Sequence, residues 1–178
     1  QNPSYWDAVF VLTSDIDASS TSTWHNDSGF LPIGDTDTHF TGAFHGQGYS
    51  ISNLYINRPE QSYVGFFGYA DGGTIDSVGV IGCYVIGHDY VGGLVGHNGF
   101  SGSISDCYAT GSVTGNGNYF GGLVGWNFDD GSVSGCYSTG NVSGAYTLGG
   151  LVGKDNSGSS INHVILIVSL IKPRAFRI

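Results

Sequence analysis

Residues 92–115 read GGLVGHNGFSGSISDCYATGSVTG, and residues 121–144 read GGLVGWNFDDGSVSGCYSTGNVSG. Laid one over the other, the two segments keep a Gly-Gly-Leu-Val-Gly core, a Cys-Tyr pair and a Thr-Gly pair in step. The core returns upstream as VGFFGYADGGTIDSV from Val64, and downstream as LGGLVGKDNSGSSINHV from Leu148. Its last glycine is Gly68, Gly96, Gly125 and Gly153, at steps of 28, 29 and 28 residues. Self-similarity at a period between 20 and 50 residues is the mark of a stacked repeat architecture.

Each copy reads as strand. Gly every few residues costs up to about 1 kcal/mol each inside a helix, and no stripe of period 3.6 is present. In the Cys107 copy, Cys107, Ala109, Gly111 and Val113 alternate with Tyr108, Thr110, Ser112 and Thr114. The next copy alternates Cys136, Ser138, Gly140 and Val142 with Tyr137, Thr139, Asn141 and Ser143. A small apolar face of period two is a strand with one side buried. The core carries two adjacent apolar columns, Phe66/Leu94/Leu123/Leu151 and Phe67/Val95/Val124/Val152. Neighbours in a regular strand point to opposite faces. Either the chain bends there, or one column forms an apolar stripe outside. NGFSG and NFDDG read as turns.

Short strands, glycine-rich corners and a period of about 28 predict an all-β fold, a parallel β-helix (β-solenoid) of right-handed coil. One coil cannot bury its own inner face, and stacking at about 4.8 Å turns repeated residues into ladders. Asn98 and Asn127, just past the core, are candidates for an internal asparagine ladder. The whole of 1–178 reads as a single domain. Residues 1–63 form an irregular N-terminal cap and first coil, with AVFVL (8–12) as a strand. Residues 64–163 form the repeat coils, and 164–178 an atypical C-terminal strand or tail. Val164–Ile171 is too short to span a bilayer, so no membrane span is expected. The chain opens at Gln1, which predicts a processed product or an excised segment.

The chain has 31 Gly in 178 residues, no Met, and 11% charged residues. Acidic residues number 14 and basic residues 5, for a net charge of −9. Up to residue 153, Arg58 stands alone against 13 acids, so that part carries −12. Such a surface repels a phosphate backbone and argues against a nucleic-acid partner. Few Lys with many Ser, Thr, Asn and Asp fits a secreted protein. Cys83, Cys107 and Cys136 cannot all pair, and their spacings match no zinc or redox motif. They read as small buried apolar residues. A bridge between Cys107 and Cys136 stays open, because adjacent coils bring Cα atoms to a permitted separation.

The segments 92–115, 121–144 and 149–161 resemble the GLUG-motif family, named for its Gly-Leu-x-Gly core. LTSDIDAS (12–19) and FTGAFHGQGYSISNLYI (40–56) are similar to the segment that often precedes such repeats. There, His45, Gln47 and Tyr49 replace the usual Asp, Asn and His. The resemblance covers about residues 10–162. It implies a parallel β-helix in a bacterial extracellular or cell-surface setting, as in adhesin-like chains and the non-catalytic region of immunoglobulin-A-specific metallopeptidases. It transfers no catalytic residue.

The residues point the same way. A zinc peptidase needs HExxH, but the only Glu is Glu60 and no His pair flanks it. Asp15/Asp17, Asp35/Asp37 and Asp129/Asp130 sit in turns and read as solvated. GDTDTH (34–39) lacks the acidic residue that closes a calcium loop, and GNGNYFGG (115–122) lacks the Lys-Ser/Thr of a phosphate loop. No cofactor or metal is expected. The candidate interaction surface is the Tyr63/Tyr90/Tyr119 column, with Tyr108, Tyr137, Thr110 and Thr139 on the strands. The leading function is a non-catalytic structural or interaction module, an adhesin-like rod. Its partners would be a protein or glycan on an extracellular surface, or further copies of itself in an oligomer or fibre. A carbohydrate-active or carbohydrate-binding β-helix is the alternative, and an ice- or surface-binding solenoid a second one.

Overall fold

A computed structural model of the chain describes residues 3–156, 158–166 and 169–171. The chain winds as a parallel β-solenoid, and the repeat explains why. Residues one period apart are hydrogen-bonded neighbours: Ser103 pairs with Thr74 on one side and Ser132 on the other, and Ser132 pairs with Ser160. Among the described residues every pairing between two strands is parallel, and one isolated bridge, Gly29 to Ile56, is antiparallel.

Among the described residues, four sheets run up the stack. A six-stranded sheet comprises Val9–Val11, Ala43–His45, Thr74–Asp76, Ser103–Ser105, Ser132–Ser134 and Ser160–Asn162. A four-stranded sheet comprises Phe67–Asp71, Val95–Gly99, Val124–Asn127 and Val152–Asp155. A nine-stranded sheet contains Gly79–Gly87 and Tyr108–Gly115, and a three-stranded sheet holds the corner strands Val91–Gly92, Phe120–Gly121 and Leu148–Gly149. Residues 1–63 contribute strands to the same sheets, with an excursion through a 3-10 turn at Ser19–Thr23. Ile165–Leu166 and Ser169–Ile171 pair with Tyr137–Ser138 and Asn141–Ser143. The basic end at 172–178 lies outside the described residues.

The two adjacent apolar columns are both inside. Leu94 and Leu123 are fully buried, as are Phe67, Val95 and Val124. The chain bends between the three-stranded and four-stranded sheets, so consecutive side chains both turn inward. Each such Leu or Val contributes roughly 1.5–3 kcal/mol by leaving water. Alternation also holds along the Cys107 strand, where Cys107, Ala109 and Val113 are buried. It slips at one point. Gly79–Gly87 has nine residues against eight in Tyr108–Gly115, and the register shifts between Ala109 and Gly111. Gly82 takes up the extra residue at φ +63°, and its N–H donates to Thr110 Oγ1 at 2.9 Å. Val78, one residue before Gly79, precedes the pairing of Gly79 with Tyr108 and so fills the column that Cys107 and Cys136 occupy below. All three cysteines are free and buried. Burial pushes the Cys83 thiol up to about 12, which makes it a poor nucleophile at neutral pH.

The asparagine ladder is present. Asn98 Nδ2 donates to Asn127 Oδ1 at 2.8 Å and to the Gly102 carbonyl at 3.1 Å. Asn127 Nδ2 repeats the pattern, to Asp155 Oδ1 at 2.8 Å and to the Gly131 carbonyl at 3.0 Å. Each amide closes its own turn and ties it to the next coil. Ala70 stands in this column one coil above, and Asn98 Oδ1 accordingly has no partner. Asn127→Leu leaves one N–H of the buried Asn98 amide without its acceptor and removes the side-chain bond to the Gly131 carbonyl, which keeps only the Ser160 N–H. It is expected to lower stability by about 2–3 kcal/mol, read as a fall in the urea unfolding midpoint.

Candidate functional site

The tyrosine column predicted from the repeat is the spine of a larger aromatic array. Tyr63 and Tyr90 stack with ring centroids 4.7 Å apart and 8° between planes, and Tyr90 and Tyr119 follow at 5.3 Å. The three sit at the corner before the core with φ of 60°, 56° and 63°. That left-handed conformation costs a side-chain-bearing residue roughly 1–2 kcal/mol, so three copies retain tyrosine where glycine would be easier.

A second column lies beside them. Register places Tyr69, His97, Trp126 and Lys154 above one another in the four-stranded sheet. His39 stacks on Tyr69 at 4.3 Å. Tyr69 meets His97 at 4.2 Å, His97 meets Trp126 edge-on at 5.0 Å, and Trp126 stacks against Tyr90 at 5.0 Å. Lys154 closes the array, with its Nζ 4.5 Å from the Tyr119 ring centre and 5.4 Å from that of Trp126. The Lys154 ammonium also donates to Tyr119 Oη at 3.3 Å. Ring faces are largely spent on one another, so the array presents ring edges and hydroxyls outward.

The electrostatics follow from this packing. Burial raises the Tyr63, Tyr69 and Tyr90 hydroxyls above the ordinary tyrosine range, and nearby Asp89, Asp71 and fellow tyrosines add to the shift. His97 is 1% exposed. Burial, with a smaller contribution from His39, lowers its pKa to about 4, and its Nδ1 has no partner. The imidazole is a neutral core ring among aromatics.

The strand residues lie elsewhere, on the outer face of the nine-stranded sheet. Tyr108 and Tyr137 stack at 4.8 Å with planes 1° apart, and Tyr55 and Tyr84 form a second pair there at 5.2 Å. Thr139 is exposed, while Thr110 is half-buried and its hydroxyl is committed to Gly82. Thus Tyr63, Tyr90 and Tyr119 form one group, and Tyr108, Tyr137, Thr110 and Thr139 another.

Three His-Asp pairs escaped the sequence reading: His39 Nδ1 to Asp71 Oδ2 at 2.8 Å, His45 to Asp76 at 2.6 Å, and His88 to Asp89 at 2.9 Å. The first two join residues about one coil apart in sequence. Burial opposes ionisation of Asp89, yet hydrogen bonds from Asn118 and His88 outweigh it and hold the carboxyl below its usual range. The carboxylates Asp7 and Asp37 line one open cavity together with His39 and Thr41. Asp35 Oδ1 accepts from the N–H groups of Asp37 and Thr38, which folds GDTDTH into a self-capped turn. Among the described residues, no three His, Cys, Asp or Glu side chains are grouped to hold a metal ion, and no helix is long and apolar enough to cross a membrane.

Comparison with known proteins agrees with the repeat. The model of the GLUG motif matches residues 87–114 and 116–143. Halomucin of Haloquadratum walsbyi is 42% identical over 113 residues, which is 60% of this chain and 1% of that protein. A protein of Evansella cellulosilytica named as a Gly-rich membrane protein is 33% identical over 93 residues, 50% of this chain and 11% of that protein. The chain therefore spans only a small part of the length of either relative. No solved structure matches the chain.

Proposed function

We propose that this chain, which carries GLUG repeats and stacks them as a parallel solenoid, is a non-catalytic structural and interaction module of a surface-associated or secreted protein. One observation supports it above the others. The pairing is parallel and in register through the six-stranded sheet from Val9 to Asn162. The repeat coils of about 28–29 residues, and the coils of 34 and 31 residues before them, each add about 4.8 Å to a stiff stack. The names of the two relatives, a halomucin and a membrane protein, support a place at the cell surface. The hydroxyl-rich, Lys-poor, acidic composition supports it too.

As an adhesin-like segment, the module would engage a protein or glycan through Tyr63, Tyr90 and Tyr119, with the outer face carrying Tyr108, Tyr137, Thr110 and Thr139 as a second surface. Amphipathic rings with an outward hydroxyl suit such contacts. The test is to immobilise the chain and expose it to arrays of glycans and extracellular proteins, assaying released reducing sugar in parallel. Retention without product is expected. Tyr90→Ala is expected to weaken it about tenfold. Steady release of product would replace this reading by the carbohydrate-active one, and absence of any retention would remove the interaction role.

A further inference from the structure

Tyr63 is the first ring of its column. Tyr90 takes one of its faces, and beside it the chain encloses a cavity of about 370 Å³ lined by Asp35, Thr36, Glu60, Gln61, Ser62 and Tyr63. That volume lies in the lower part of the range for small-ligand sites. Two turns form it, and each supplies one carboxylate. In the first, Asp35 Oδ1 accepts from the N–H groups of Asp37 and Thr38 at 2.9 and 2.8 Å. These bonds fix the carboxylate, and its Oδ2 takes part in neither. In the second, the Gln61 N–H donates to the Arg58 carbonyl at 2.9 Å, which brings Glu60 to the rim. Both acids are exposed, and none of the lining residues is basic. Arg58, the one base up to residue 153, is held elsewhere. Its Nε donates to the Phe30 carbonyl at 3.0 Å and its Nη2 to that of Gly29 at 3.3 Å.

The other end of the same column shows what its rings take up. There the chain supplies its own cation: the Lys154 ammonium lies 4.5 Å from the Tyr119 ring centre and donates to Tyr119 Oη. Tyr63 has the ring, a cavity and two carboxylates, and the chain supplies no cation. We propose that this cavity seats an arginine side chain of a partner protein, with the guanidinium against the Tyr63 ring and donating to Asp35 and Glu60. The proposal rests on the reading of the chain as an interaction module and gives the chemistry of its partner. Charge selects the occupant. Residues 1–153 carry −12, a field that draws in cations and holds off anions. A neutral sugar would leave both carboxylates uncompensated. A metal ion would want a third protein ligand, and no group of three His, Cys, Asp or Glu stands among the described residues. Between the two basic side chains, the planar guanidinium both stacks on an aromatic face and forks to carboxylates, where an ammonium is a point charge.

Nuclear magnetic resonance titration with N-acetyl-arginine amide tests this. The Tyr63 ring protons and the Thr36 and Ser62 amides are expected to shift saturably. N-acetyl-citrulline amide, nearly the same shape without the charge, is expected to bind at least about tenfold more weakly, having lost both ion pairs and the contact with the ring. Glu60→Gln and Asp35→Asn are each expected to weaken arginine about two- to fivefold. Both positions are exposed, and Asn keeps a side-chain oxygen to cap the turn, so the rest of the spectrum should stay that of the parent. If Asp35→Asn disturbs the turn, Glu60→Gln alone decides. No saturable shift at Tyr63, equal binding of citrulline, or a Glu60→Gln variant that binds as the parent does would each overturn the proposal. Calcium chloride saturating the same resonances more tightly than arginine would overturn it too, by making the pair a metal site. A chain retained on the arrays but indifferent to arginine leaves the module reading standing. A chain that binds arginine but is retained on no array removes the module reading and leaves the chemistry of the cavity intact.

Discussion

Gly121→Ala is expected to destabilise the chain by about 4 kcal/mol, at the upper end of single-substitution effects. Gly121 opens the repeat core at the corner where the three-stranded sheet turns into the four-stranded one. A methyl group there would run into the Val124 carbonyl oxygen and lie 2.7 Å from the Gly153 nitrogen and the Leu151 oxygen. None of these can retreat cheaply. The Leu151 carbonyl accepts from Leu123 and Val124 at 2.9 and 3.0 Å, so moving it breaks the tie between coils. Gly92 and Gly149 occupy the same column and face the carbonyls of Val95 and Val152. The requirement is therefore a property of the repeat. For a chain of this length, about 4 kcal/mol corresponds to a fall in Tm of roughly 8–16 °C. Gly48→Ala is the control, because its methyl would meet open space and bear only the penalty of φ +82°. Equal losses from the two substitutions would refute the corner geometry.

Acid is expected to weaken the fold through His97. In the unfolded chain this imidazole titrates near its ordinary 6.5, and in the fold near 4. Between those values the unfolded state binds a proton that the folded state refuses. The contribution of His97 is thus complete above about pH 6.5 and is lost as pH falls towards 4. The slope is about 1.4 kcal/mol per pH unit, and the full loss about 3 kcal/mol. Asp17 and Asp89, held below the usual carboxylate range, also lose stabilisation in acid, so the comparison must isolate His97. Urea midpoints at pH 7.5 and 4.5 should fall steeply for the parent and less for His97→Phe, which keeps a ring beside Tyr69 and Trp126. Equal falls would show that His97 is not buried as a neutral ring.

The repeat made the stack legible because identical residues one period apart can only be vertical neighbours. The Asn98–Asn127 ladder followed from the same alignment. The corner did not follow. Phe66/Phe67 and Leu94/Val95 left open a bend or an outer stripe, and only the backbone turn decides that both columns are inside. Thr110 read as a free strand hydroxyl because its partner, Gly82, is an insertion in the neighbouring coil. The column of Tyr69, His97 and Trp126 was hidden by its variety: each holds the same place after the core, but no residue repeats. Two of the His-Asp pairs were hidden because His39 and His45 lie in the irregular first coil, where no copy marks which later carboxylate stands opposite.

Methyl-to-methyl nuclear Overhauser contacts among Leu94, Leu123 and Leu151 test the stacking most directly. In a sample labelled only at leucine methyls, stacked coils about 4.8 Å apart should give strong cross-peaks from Leu123 to both Leu94 and Leu151, with none or a far weaker one between Leu94 and Leu151. Absence of the two Leu123 cross-peaks in a folded sample would contradict the solenoid, and with it the functional reading.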